Sequence, residues 1–376
     1  MKVRYRVLAA LPAFLFLMVS AASMAVDIGP IEQVRRKEVL DGEDLQIIDS
    51  FVAEAVEELL RTRDFGSIAG IRTIILSRST SSADSARAQY AQQFGASAYN
   101  HISEALRETE SFDRQDRKFI VTLNLLILVD SLENPQLAYL AIPMLRHGNT
   151  VIRYWAVHSV TNPGMREKLR PENPDNLKLL QRIVEQLEEL LDNSSPEIVA
   201  LIAEFAAGVQ IPQGRQLLGR IADMRIKRYE NWTVEYELLD ATILKLLCEN
   251  VSGSGQTDAA MARRFGLLYS YAIQRYVKGA VLLTDARKQQ LASVLVETAE
   301  QCIRKLLGAA QPTIKRAVEE NDYAALLLEH SKLLGDETRA GELAVKLKFD
   351  YGENPDGSRR TAPPALAEPP KPQTTG

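Results

Sequence analysis

The stretch Asp175–Val209, DNLKLLQRIVEQLEELLDNSSPEIVALIAEFAAGV, decides the fold class. Leu177, Leu180, Val184, Leu187 and Leu191 recur at i, i+3, i+7, i+10 and i+14, the spacing of one helix face. Glu185, Glu188 and Glu189 occupy the other side, so the segment reads as an amphipathic helix with one buried stripe. Asp175 suits its N-cap. Asn193-Ser194-Ser195 stops it, and Pro196 opens a second helix, Glu197–Ala207, at a position where a missing N–H does no harm.

The same grammar extends in both directions. Asn134-Pro135 opens a helix that runs through Leu145, and Gly148-Asn149-Thr150 turns the chain into Val151–Val160. Asp113 and Asp116 resemble a capping box ahead of Phe119–Val129. Asp41-Gly42 precedes a helix, and Ile211-Pro212 and Asn321 open two more. Phe119–Val129 is apolar all round, which predicts a helix covered on several sides, with Asn124 as a buried amide bonded to a neighbouring helix or loop. No Asn-Gly or Asp-Gly turn lies between alternating runs, so hairpin signals are missing.

Helix pairs are predicted to begin near residues 44, 85, 134, 175, 212, 257 and 312. A spacing around forty residues fits HEAT or armadillo units better than tetratricopeptide repeats. The expected fold is therefore all-α, an α-solenoid of about seven antiparallel helix pairs. Of 16 prolines, Pro12 lies in the N-terminal apolar stretch and Pro355, Pro363, Pro364, Pro369, Pro370 and Pro372 lie at the C-terminal end. The remainder fall at segment starts and breaks, as an almost wholly helical body requires. The 46% hydrophobic content, with Gly 20 and Pro 16, excludes collagen-like, mucin-like and wholly disordered chains.

The stretch Glu133–Val160, ENPQLAYLAIPMLRHGNTVIRYWAVHSV, resembles a HEAT repeat, an armadillo-like α-solenoid unit. Leu137, Leu140 and Leu145 point inward from its first helix, and Asn149, Val151, Arg153 and Ala156 match slots of the family's second helix. Leu177–Val209 is similar more loosely and lacks the Arg. The resemblance implies a solenoid whose concave face binds extended partners.

Residues 1–25, MKVRYRVLAALPAFLFLMVSAASMA, have the three parts of a secretory signal: basic Lys2, Arg4 and Arg6, an apolar Val7–Val19, and small residues ending at Ala25. The apolar run is shorter than the roughly 20 residues that span a bilayer. The expectation is an exported protein, periplasmic or extracellular, with no membrane span after cleavage. Loss of three basic residues would take the formal charge from −4 to −7, which disfavours nucleic acid as a partner. The expected organisation is a leader over 1–25, a linker over 26–43, a helical-repeat domain over 44–348 and a disordered proline-rich tail over 349–376. Polar loops are expected at 77–85 and 252–257. Cys248 and Cys302, the only cysteines, sit at helical core positions; an oxidising compartment would permit a bridge, but their contexts read as unbridged core residues.

Catalytic signatures are missing. No HExxH, CxxC, Glu-x-x-His, Gly-x-Ser-x-Gly or Walker A pattern occurs. No cofactor or metal is expected. His101 and Glu104 share a helix face, but one such pair does not make a metal site, and His158, which shares a face with Val151 and Trp155, reads as a core or groove histidine. Between Arg225 and Lys278, Tyr and Trp interleave with Arg and Lys, a composition enriched in binding hot spots. Arg228, Tyr229, Trp232, Arg264, Tyr271 and Arg275, extended by Arg153 and Tyr154, are the candidate partner-binding residues for an acidic or aromatic segment. These observations point to an exported, non-catalytic scaffold or adaptor that binds a protein or peptide. The alternative is an exported helical enzyme or polysaccharide-binding protein using paired carboxylates such as Glu57-Glu58, Glu188-Glu189 and Glu319-Glu320.

Overall fold

The computed structural model describes residues 26–251 and 258–370. Among them the chain is all-helical, with no β-strand and only two isolated bridges, Gly335 with Ala340 and Glu353 with Arg359. In order, the helices are α1 Gly29–Val34, α2 Gly42–Arg61, α3 Phe65–Ser77, α4 Arg87–Thr109, α5 Gln115–Leu132, α6 Ala138–Ala141, α7 Thr150–Thr161, α8 Pro163–Lys168 and α9 Pro174–Glu188. They continue with α10 Pro196–Gly208, α11 Pro212–Glu230, α12 Leu238–Val251, α13 Ala259–Lys278, α14 Asp285–Glu297, α15 Arg304–Leu307, α16 Pro312–Glu319, α17 Tyr323–Leu334 and α18 Glu342–Leu347. Prolines 163, 174, 196, 212 and 312 each stand first in a helix, where the ring presets φ and no hydrogen bond is lost. No described helix is long and apolar enough to cross a membrane.

The chain divides into two compact units at Glu108/Thr109, where one helical-repeat domain over 44–348 was expected. In the first, Asp41 caps α2 by accepting from Glu43 and Asp44 N–H, and the Asp44 side chain closes the box on the Asp41 N–H at 3.1 Å. Ile48, Phe51, Val52, Ala55, Val56 and Leu59 line its buried face. The expected linker over 26–43 is part of this packing: α1 buries Ile31 and Val34, and Leu40 is also buried. The polar loop after α3 is tied down by Ser81 and Ser82, whose hydroxyls both donate to the Arg35 carbonyl.

In the second unit α7 packs on α5 and α10, α11 on α10 and α13, and α12 on α13 and α14. α9 buries Leu179, Leu180, Ile183, Val184 and Leu187; each such side chain contributes about 1.5–3 kcal/mol of burial. Its cap is Asn173 rather than Asp175, because Pro174 already starts the helix. α5 is covered as its all-apolar sequence requires, burying Val121, Leu125, Leu126, Leu128 and Val129. Its start differs from the capping-box expectation: Arg114 stands at the cap and Asp116 pairs with it. Asn124 donates to Ile120 O of its own helix at 2.7 Å instead of reaching a neighbour. The segment expected as one helix over 134–145 is broken into a short turn at Pro135–Leu137, α6, and a second turn at Ile142–Arg146. Pro143 is the cause, since it cannot donate and its ring crowds the carbonyl four residues back.

α13 is the central helix of this unit, buried continuously from Phe265 to Tyr276 except at Leu267. α14 leads through a π-turn at Thr298–Ile303 into α15. Cys302 lies in that turn, and its carbonyl accepts from the Cys248 thiol at 3.8 Å; both cysteines are buried and unbridged. The expected disordered tail is placed along α13 by bonds from Arg263 to Asp350, from Gln274 to Pro364 and Leu366 and from Lys278 to Leu366, and its Tyr351, Pro363 and Leu366 are buried. The leader over 1–25, the loop over 252–257 and residues 371–376 lie outside the described residues.

Candidate partner-binding site

Most of the aromatic and basic cluster between 225 and 278 turns inward. Arg225 sends Nε to Asp240 Oδ1 at 2.7 Å and Nη2 to Oδ2 at 2.9 Å, and the Tyr229 hydroxyl donates to Oδ2 at 2.7 Å. Glu237 forms a second buried cluster, accepting from Arg275 Nη2 at 3.3 Å and Arg287 Nη2 at 2.7 Å. Between the two, Trp232 and Tyr236 hold left-handed backbones at φ 58° and 56°, which cost a non-glycine residue on the order of 1 kcal/mol or more each. The ion pairs on either side fix the α11–α12 connection and hold that strain.

Three candidate residues are therefore corrected. Tyr229, Tyr271 and Arg275 are buried and present no surface to a partner. Tyr271 donates to Glu230 Oε1 at 3.1 Å, and Arg275 stacks over Trp232 at 5.8 Å. Arg264, half-exposed, grips Asp223 with two bonds of 2.8 and 2.9 Å. Arg264, Tyr271 and Arg275, expected to face a partner, instead fasten α13 to α11 and to the loop at 231–237. The tyrosines and arginines are core and staple groups because each finds a carboxylate or carbonyl inside the unit. Arg228 and Trp232 stay half-exposed.

Arg153 and Tyr154 fare differently. Both are half-exposed on α7 beside Trp155 and His158. Tyr154 and His158 stand at i, i+4, and Trp155 and His158 at i, i+3, so the imidazole neighbours both rings on the helix surface. Tyr154 and Trp155 meet edge to face at 5.9 Å, and His158 lies 5.3 Å from Trp155 and 5.9 Å from Tyr154. Behind them, His158 Nδ1 bonds the Asp130 carboxylate at 2.7 Å, and Asp130 also accepts from Asn162 Nδ2 at 3.0 Å. A carboxylate only accepts, so the proton sits on Nδ1. The hydrogen bond to Asp130 raises the His158 pKa above its ordinary value, against the effect of burial. Nearby, Val151 and Tyr139 are exposed and Arg182 stacks over Tyr139 at 5.7 Å. The α7 surface offers aromatic area, a cation-biased imidazole and the Arg153 guanidinium.

The sequence shows Trp155 and His158 on one helix face and carries no local sign of Asp130, which lies 28 residues before His158. The signal was the run Arg153-Tyr154-Trp155 with His158 one turn later, too short to stand out from core periodicity. The imidazole–carboxylate pair resembles the base half of a nucleophilic site, but the neighbouring Ser159 hydroxyl is buried and donates to the Trp155 carbonyl at 2.7 Å. Of the paired carboxylates, Glu57 pairs with Arg61, Glu188 with Arg220 and Glu189 with Arg146 on solvent-facing sides. Among the described residues no group of three His, Cys, Asp or Glu is placed to hold a metal ion.

Comparison of the chain with protein-family models, with curated proteins and with solved structures gave no match.

Proposed function

We propose that the chain is an exported, non-catalytic scaffold that binds a protein or peptide through the surface of α7. The observation that carries this reading is the half-exposed Tyr154–Trp155–His158 cluster, anchored from behind by Asp130. Aromatic rings with a fixed polar tip give a partner contact area at little entropic cost, since the neighbouring rings and the Asp130 bond already restrict them. With Arg153 next to Tyr154 on the same helix, the patch suits an acidic segment carrying an aromatic or apolar residue.

In this reading the helix pairs of the second unit are layers of a HEAT- or armadillo-like solenoid. Support comes from helix starts at 174, 212, 259 and 312, close to the predicted repeat starts. Export rests on the leader pattern of residues 1–25 alone.

The test is retrieval of partners by the purified chain from its native envelope fraction. A folded Tyr154→Ala/Trp155→Ala double variant should lose the partners that the unaltered chain retrieves. Equal retrieval by both would place the binding surface elsewhere.

A further inference from the structure

The segment after α18 is a peptide lying in a groove of its own chain. It runs beside α13 in the same direction: Arg263 binds the Asp350 carbonyl and carboxylate at 2.6 Å each, and Lys278 reaches Leu366 O at 2.9 Å. Gly266 lets it come close, because a Cβ there would meet Phe349 Cζ at 3.1 Å and the Tyr351 hydroxyl at 3.2 Å.

The contacts of Pro364–Ala367 have the form of peptide recognition. Gln274, buried on α13, accepts from Leu366 N–H at 2.6 Å and donates to Pro364 O at 3.0 Å. One side-chain amide thus reads both polar groups of an extended backbone. Trp232 Nε1 donates to Ala367 O at 3.2 Å. Leu366 is the anchor at 3% exposure, while its neighbours Ala365 and Ala367 are exposed. The same Gln274 amide donates to Ser270 Oγ at 3.0 Å, and Ser270 bonds His330 Nε2 at 2.8 Å, which fixes the amide's orientation from beneath. A buried amide, an indole and an ammonium arranged along four successive peptide units form a reader of extended backbone. Proline-rich segments satisfy such a reader at low entropic cost, because they are extended before they bind.

We propose that the groove formed by Gln274, Lys278 and Trp232 is a recognition site for extended proline-rich segments of the pattern Pro-x-Leu. The chain's own Pro364-Ala365-Leu366 fills it in cis, and the corresponding segment of a partner protein takes its place in trans. The site is separate from the α7 surface and stands whether or not that surface binds. Tethering gives the resident segment an effective concentration of order millimolar for a short flexible linker. A trans ligand therefore binds well only when the tail is weakened or outcompeted.

The experiment uses the full chain, its Leu366→Asp variant, and a fluorescent synthetic peptide of residues 361–370, TAPPALAEPP, read by anisotropy. The variant should bind the peptide at least about tenfold more tightly than the unaltered chain, whose tail competes. Adding Gln274→Ala to the variant, or replacing Leu by Asp in the peptide, should weaken binding by a similar factor. A folded Leu366→Asp chain that ignores the peptide, equal binding by both chains, or indifference to Gln274→Ala would overturn the proposal. So would a concentration-dependent dimer abolished by Leu366→Asp, which would make a second copy's tail the occupant. If the variant loses its helical circular dichroism, hydrogen exchange on the unaltered chain decides. The Leu366 amide should exchange at least about a hundredfold faster than the α13 core amides, as independent release of the tail requires. Equal protection would make the tail a fixed part of the core and contradict the proposal.

Discussion

Arg225 and Asp240 form a sealed two-point ion pair, with bonds of 2.7 and 2.9 Å and side-chain exposures of 1% and 0%. Tyr229 completes the carboxylate's shell at 2.7 Å. The pair lies where α11 and α12 are joined through the left-handed Trp232 and Tyr236, so its loss would both strand a buried charge and free a strained loop. Asp240→Asn or Arg225→Ala should each destabilise the protein by about 3–5 kcal/mol, the range for breaking a buried pair by removing one partner. An Arg225→Met/Asp240→Leu double variant should cost less than either single change, since it leaves no charge unpaired. Urea-induced loss of helical signal measures this; single variants within about 1 kcal/mol of the parent would show that the pair is not a staple.

His158 carries the opposite pH signature from a buried neutral histidine. Its bond to Asp130 raises its pKa above the ordinary 6.5. A raised folded pKa gives stability that is fully present below the unfolded value and is lost as pH rises through the folded one. An NMR titration should place the His158 midpoint above 6.5, and Asp130→Asn should bring it down. The stability gap between parent and Asp130→Asn should narrow as pH rises through that midpoint. A parent midpoint at or below 6.5 would contradict the geometry.

His330, beneath the tail, works the other way. Burial pulls its pKa down to about 4, so the neutral ring accepts the Ser270 hydroxyl bond at 2.8 Å. The unfolded chain takes up a proton near 6.5 and the folded chain does not, so stability falls as pH drops from about 6.5 towards 4. His330→Gln keeps an acceptor for Ser270 and removes the titration. It should reduce the acid-side loss by about 1–2 kcal/mol, a figure set below the full pKa difference because the ring keeps some solvent contact. An unchanged pH–stability slope would show that the ring titrates freely.

Helix positions were legible in the sequence because capping residues and prolines act locally. Asp41, Asn149 and Asp258 cap helices through their own side chains, and Pro196 and Pro212 start helices where the sequence places them. What was not legible depends on partners distant in sequence. Arg275 reads as a surface cation until Glu237 is brought to it from 38 residues away. Leu366 reads as part of a disordered tail until Gln274, 92 residues earlier, binds its backbone. Asp130 and His158 are separated by 28 residues, so the feature that sets α7 apart had no local signature. Composition marked the region 225–278 as unusual, but a Tyr/Arg-rich helix is equally a core helix when carboxylates face it.

The central claim is that α7 presents a binding surface. A photo-crosslinking phenylalanine analogue at Tyr154, in cells of the source organism, tests it most directly, with the 59% exposed Tyr236 as the control position. The account predicts a discrete adduct from position 154 that disappears with Trp155→Ala and is missing from position 236. No adduct at 154, or the same adduct from both positions, would contradict it.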